Sequence, residues 1–148
     1  MVNVNLHFQI LFQLEFHDSP AEDVQVGYWI TRKADTEVRK YGSWLVEGIL
    51  RRRGEIDEII DGISEHWRLS RMAVVDRNIL RIAVFEFLEE EHIPPAVIIN
   101  EALEIAKKYS GDRAAVFING ILDAAQKQLK DSESKDKEQT DDGKSKNE

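Results

Sequence analysis

At 148 residues, with no cysteine and only three prolines, the chain has room for one domain with one or two small cores, and neither disulfides nor thiolate metal sites are possible. Its net charge of −8 excludes attraction of nucleic acid by the field of the whole surface, so any such contact has to be local. The opening Met1-Val2-Asn3-Val4-Asn5 has no basic segment or small-residue cleavage site, and apolar runs are only a few residues long, which predicts a cytoplasmic, soluble protein with no membrane span.

The charge is unevenly spread. No Lys or Arg precedes Arg32, Arg51 to Arg53 form a run, and Arg68, Arg71, Arg77 and Arg81 follow. Residues 131–148 hold seven acids and four lysines, a net −3, which leaves −5 for the first 130 residues.

The first predicted helix covers about residues 3–16, with Leu6, Ile10 and Leu14 four apart and Phe12 and Phe16 widening the face. Ser19-Pro20 stops it, and a weakly periodic helix is placed between Ala21 and Thr31. The next covers about 35–53 through Val38, Tyr41, Leu45 and Ile49, with Gly54 as its C-cap. Ile56, Ile59, Ile60 and Ile63 mark a helix of about 55–66.

Ser70 is read as the N-cap of a long helix over about 71–90. Its apolar positions (Val75, Ile79, Ile82, Ala83, Phe85, Phe87) cover much of the circumference, so it is expected to be central and most buried. Pro94-Pro95 opens another helix, which ends at Ser110-Gly111. Asp112 is the expected N-cap of a last one, with Phe117, Ile121, Ala125 and Leu129 inward. No strand-like alternation competes, so the class is all-α with six or seven helices. Residues 131–148 lack any aliphatic or aromatic side chain and are expected to form a disordered charged tail after a domain spanning 1–130.

Catalytic and metal motifs are missing from this pattern. There is no nucleophile elbow and no phosphate-cradling glycine loop. His7, His17, His66 and His92 stand apart without ligand spacing, so no metal and no cofactor are expected. Glu89-Glu90-Glu91 reads as a solvated helix end. By periodicity alone, Asn100-Glu101 is a helix-surface pair, and Phe117, Asn119 and Gly120 are helix packing. The Lys107-Lys108 pair suits the negative end of a helix dipole.

The segment Val75-Asp76-Arg77-Asn78-Ile79-Leu80-Arg81-Ile82-Ala83-Val84-Phe85-Glu86 resembles a pattern of the NusB transcription antitermination family. Ile93-Pro94-Pro95, Ile98-Ile99-Asn100-Glu101-Ala102, Ala106-Lys107-Lys108-Tyr109 and Phe117-Ile118-Asn119-Gly120-Ile121-Leu122-Asp123 follow at the family's spacing. The resemblance covers roughly residues 6–130. It implies about seven helices in two subdomains around a long central helix, and a non-enzymatic protein that binds boxA-type single-stranded leader RNA of ribosomal RNA operons. It further implies NusE, a small-subunit ribosomal protein, as partner, and read-through by the transcribing RNA polymerase complex.

Carried onto this chain, the resemblance assigns Gln9, Phe12, Asn100, Glu101, Lys107, Lys108, Phe117 and Asn119 to RNA, where aromatic rings stack on unpaired bases and amides read their edges. It assigns Asp76, Arg77, Arg81 and Glu86 to the protein partner. The chain departs from the family where Val2 and Val4 stand in place of arginines, and where Val116 occupies a position that is often Lys. These departures favour an alternative, a NusE-binding scaffold with weak or no RNA affinity. A third class, the ribosomal RNA methyltransferases that carry a NusB-like domain, fails because no cofactor-binding domain follows.

Overall fold

The computed structural model describes residues 36–64, 68–90 and 92–144. Among them are five α-helices and one short 3₁₀ turn: α1 (Thr36–Arg51), α2 (Arg53–Ile63), the turn Leu69–Arg71, α3 (Val74–Glu89), α4 (Pro95–Tyr109) and α5 (Asp112–Lys144). No strand occurs among the described residues. The helices expected over 3–16 and 21–31 lie outside them.

The centre of the fold is α3. Nine consecutive residues, Asn78 to Glu86, are buried, so this helix is enclosed around its whole circumference as its apolar pattern predicted. It packs against α1, α2, α4 and α5. Each neighbour contributes a stripe at helical spacing: Leu45, Val46 and Ile49 from α1, Ile56 and Ile60 from α2, Ile98, Ala102, Ile105 and Ala106 from α4, and Ala115, Ile118, Ile121, Leu122 and Ala125 from α5. Between α1 and α3, Gly48 leaves space for the Phe85 ring. Trp44 meets the same ring edge-on, with centroids 5.2 Å apart.

Several boundaries differ from the sequence reading. Between α1 and α2 the break is one residue, Arg52, whose backbone departs from helical geometry. Its side chain bonds Glu55 at 2.9–3.0 Å and also pairs with Glu89 at the end of α3. Gly54 is therefore not a C-cap; it sits in the first turn of α2 with open space around it. Ser70 does not cap α3 either. Asp61 accepts a 2.7 Å hydrogen bond from the Leu69 N–H, which draws 69–71 into a 3₁₀ turn and delays α3 to Val74.

Pro95 does begin α4. Its C-terminus closes with the Ser110 and Gly111 N–H groups donating to the Ala106 carbonyl, and Gly111 has φ +104°. Asp112 is the first helical residue of α5 rather than its cap, because the Gly111 carbonyl already accepts from the Ala115 N–H.

The last correction concerns the tail. α5 continues as helix to Lys144, although no apolar residue follows Leu129. Asp131 to Glu138 are exposed, so local preferences rather than core burial sustain this stretch. Gln, Glu and Lys are good helix formers, and the Ser132 and Ser134 hydroxyls bond carbonyls four residues back at 3.0 and 3.2 Å.

Gly48 offers a direct test of the α1–α3 contact. A Cβ there would lie 2.3 Å from the Phe85 Cζ, so Gly48→Ala is expected to destabilise the fold by about 1–3 kcal/mol. Gly62→Ala, in a helix with open space, is expected to be neutral or stabilising. Denaturant titration of the two variants checks this; equal stabilities would mean that α1 shifts freely against α3.

Candidate functional site

The end of α4, the Gly111 turn, the start of α5 and the start of α3 come together at one end of the bundle. The link is a 2.6 Å hydrogen bond from the Ser110 hydroxyl to Asp76 Oδ1. Asp76 lies in the first turn of α3, where a carboxylate also suits the helix dipole, and it remains half-buried. Arg77 beside it is half-buried too.

From this junction α4 and α5 present polar faces outward. On α4, Asn100, Glu104 and Lys107 are exposed and follow one another at steps of four and three residues, which puts them on one face; Lys108 is exposed in the same last turn. On α5, Arg113, Val116, Asn119 and Asp123 are exposed at three- or four-residue steps, with Gly120 exposed beside Asn119. Val116 is 74% exposed, a bare apolar side chain beside Asn119. Phe117 is turned the other way, partly buried against the core, so its first role is packing. Gln9 and Phe12 lie outside the described residues.

Two features of this surface were missed in the sequence. Tyr109 is 40% exposed, and the Lys108 ammonium sits 5.2 Å from its ring centroid. Arg113 adds an exposed cation in the first turn of α5. The sequence carried no clear signal for Tyr109, which continues the inward spacing of α4 three and four residues after Ala106 and Ile105 and is exposed only because it ends that helix.

The remaining residues assigned to the partner are not surface groups. Arg81 is 5% exposed and its guanidinium is held by Asp57 of α2 at 2.9 and 3.1 Å and by Asn78 Oδ1 at 3.2 Å. That two-pronged pair joins α2 to α3, and its loss would leave a buried charge uncompensated. Glu86 is also 5% exposed. It lines a small cavity between α3 and α4 with Glu101, among Ile79, Ile82, Ala83, Ile98, Ala102 and Ile105. Burial, with Glu101 and Glu90 adding repulsion, pushes its carboxyl up to about 8. Glu101 is raised by burial and by Glu104. The fold thus places Glu101 beside Glu86 rather than with the lysines.

A model of the NusB family matches residues 5–127. The chain belongs to the NusB family. It is 43% identical over 133 residues to the transcription antitermination protein NusB of Koribacter versatilis, covering 89% of this chain and 90% of that one. Among solved structures, NusB of T. maritima is similar at 38% identity with a TM-score of 0.77, covering 82% of this chain and 86% of its own. A structure of antitermination factors NusB and NusE in complex with dsRNA is similar at 26% identity and a TM-score of 0.73, covering 83% and 92%. The NusB-family helical fold therefore extends over most of this chain.

Glu86 makes the stability of this NusB-family fold depend on pH. Its native carboxyl holds a proton up to about pH 8, whereas an exposed carboxyl with the ordinary value of 4.5 gives it up. Between those values the native state binds more protons than the unfolded chain, so stability falls as pH rises through that window and levels above it. Glu86→Gln removes this decline. The variant is expected to gain on the wild type, on the order of a few kcal/mol, as unfolding is measured from pH 5 to 8.5. Parallel pH profiles would mean that the Glu86 carboxyl is solvated.

Proposed function

We propose that this chain is a non-enzymatic transcription antitermination factor of the cytoplasm. It engages boxA-type leader RNA of ribosomal RNA operons together with NusE and promotes read-through by RNA polymerase. The observation that carries the reading is family membership over residues 5–127, supported by the solved assembly of a NusB relative with NusE and dsRNA. The outward faces of α4 and α5 suit the RNA part. Lys107, Lys108 and Arg113 offer phosphate contacts, Tyr109 offers a stacking ring, and Asn119 offers an exposed amide to a base edge. No helix among the described residues is long and apolar enough to cross a membrane.

Asn119→Ala tests the RNA face without disturbing packing, because the side chain is exposed. Loss of one hydrogen bond is expected to weaken boxA-type single-stranded RNA up to about tenfold with little change in stability. Lys108→Ala should flatten the dependence of log K on log salt by about 0.7. Titrations with single-stranded and duplex RNA decide between base reading and backbone binding. Unaltered affinity in both variants would favour a NusE-binding scaffold without RNA affinity, the reading to which the exposed Val116 inclines.

For the protein partner, Asp76 at the start of α3 is the half-buried charge the reading relies on. Asp76→Asn keeps an acceptor for the Ser110 hydroxyl and removes only the charge; Asp76→Lys reverses it. NusE affinity by calorimetry is expected to fall by roughly 2 kcal/mol or more for the lysine variant, with the asparagine variant between. No change in either variant would move the NusE surface off α3.

A further inference from the structure

One outward face of α5 is complementary to itself. Val116 and Gly120 stand four residues apart on it, the valine 74% exposed and the glycine with nothing within 4 Å of the place a Cβ would take. A bare apolar knob is followed, one turn on, by an open hollow. Arg113 and Asp123 are exposed at the two ends of the same stretch. Arg113 has no ion-pair partner among the described residues. Asp123 is bridged through Oδ2 to Lys127 at 3.1 Å, a surface pair in which both side chains stay more than half exposed. The order of these four groups is symmetric. Val116 and Gly120 each lie two residues from Ile118, and Arg113 and Asp123 each lie five residues from it.

We propose that this face of α5 is where a second copy of the chain docks, antiparallel, about a two-fold axis level with Ile118. In an antiparallel pair, positions equally far from the axis on either side face each other. Val116 of one copy therefore meets Gly120 of the other, and Arg113 meets Asp123, each contact being made twice. At a rise of about 1.5 Å per residue, these contacts fall roughly 3 Å and 7.5 Å from the axis. The missing side chain of Gly120 lets the two backbones come close while the valine fills the hollow, and the long arginine stem spans the wider edge. A foreign helix would need only a pocket for Val116. The mirrored order of cation, knob, hollow and anion is matched by this same face turned end for end, which selects a second copy. A contact between two single helices is smaller than the roughly 1,600 Å² of a standard interface, so the association is weak and depends on concentration. It is read without RNA or NusE and does not rest on the function proposed above.

Sedimentation equilibrium of the full chain from about 10 µM to about 1 mM is the test. The mass is expected to rise from monomer toward dimer and no further, since a two-fold contact closes on itself. Val116→Lys sets two ammonium groups close to the axis, and Gly120→Leu fills the hollow; each should weaken association at least about tenfold. Both positions are exposed, so denaturant titration should find neither monomer destabilised. Arg113→Glu and Asp123→Arg should each weaken association about fivefold, and the double variant should recover most of that loss, because each reversed charge again meets its opposite. A mass that stays monomeric at the highest concentration, growth beyond the dimer, association unaffected by Val116→Lys, or a double variant no better than either single one would each overturn the proposal.

Discussion

Enclosing α3 on all sides obliges three polar residues, Asn78, Arg81 and Glu86, to live in the interior, where an unmatched charge costs several kcal/mol. The fold answers two of these demands by recruiting neighbours. Asp57 comes in from α2 to neutralise Arg81, and Asn78 turns its carbonyl oxygen to the same guanidinium, leaving only its Nδ2 unpaired. That exchange fixes α2 against α3. The Arg52 bridge to Glu89 closes the far end of the same pairing, and Gly48 lets α1 approach the Phe85 ring from the side. Among the described residues no ion pair from α4 answers Glu86 in the same way. The carboxyl takes up a proton instead, which removes the charge at the cost of a pH-dependent fold.

Much of this architecture was legible in the chain. Apolar residues at three- and four-residue spacing placed α1, α2 and α4 within a few residues, and the nearly continuous apolar character of 75–87 identified α3 as central. Pro95 and Gly111 marked boundaries through backbone chemistry that few other residues share. What was not legible depended on tertiary contact. Nothing at Arg52 signals a break, and the glycine two residues on drew the eye as a cap. Ser70 is a good N-cap by type, yet the Met72 N–H that it would cap donates to the Leu69 carbonyl, in a 3₁₀ turn that Asp61 holds from another helix through the Leu69 N–H. Residues 131–144 lack any means to join a core, but that criterion governs burial and not local helicity, which their Glu, Lys and Gln content supplies.

The site divides along the same line. Exposure of Asn119, Lys107 and Lys108 follows from their places between the inward positions of α4 and α5, and so was within reach of the sequence. Burial of Arg81 and Glu86 was not. A helix that is apolar almost all round has no polar face to indicate, so charged residues on it carry no directional signal until their neighbours are known. Family motifs do not resolve this, because a residue kept for a buried ion pair and one kept for a partner leave the same letters in the pattern.

A chain of net charge −8 can engage RNA, as proposed above, only by separating its charges locally, and α4 shows one way of doing so. Its outward face carries Asn100 and Lys107, with Lys108 in the closing turn, whereas Glu101 is turned toward the α3 cavity. With Glu86 protonated at neutral pH and Glu101 partly withdrawn from solvent, two carboxyls on the shared α3–α4 interface contribute less negative field to the RNA side than the composition suggests. Asp123, exposed on the face of α5 that bears Asn119, works in the opposite sense and weakens phosphate attraction there. The balance of the α4–α5 surface is thus set by a few side chains within a Debye length of one another, about 8 Å at physiological salt, and not by the sum over the chain.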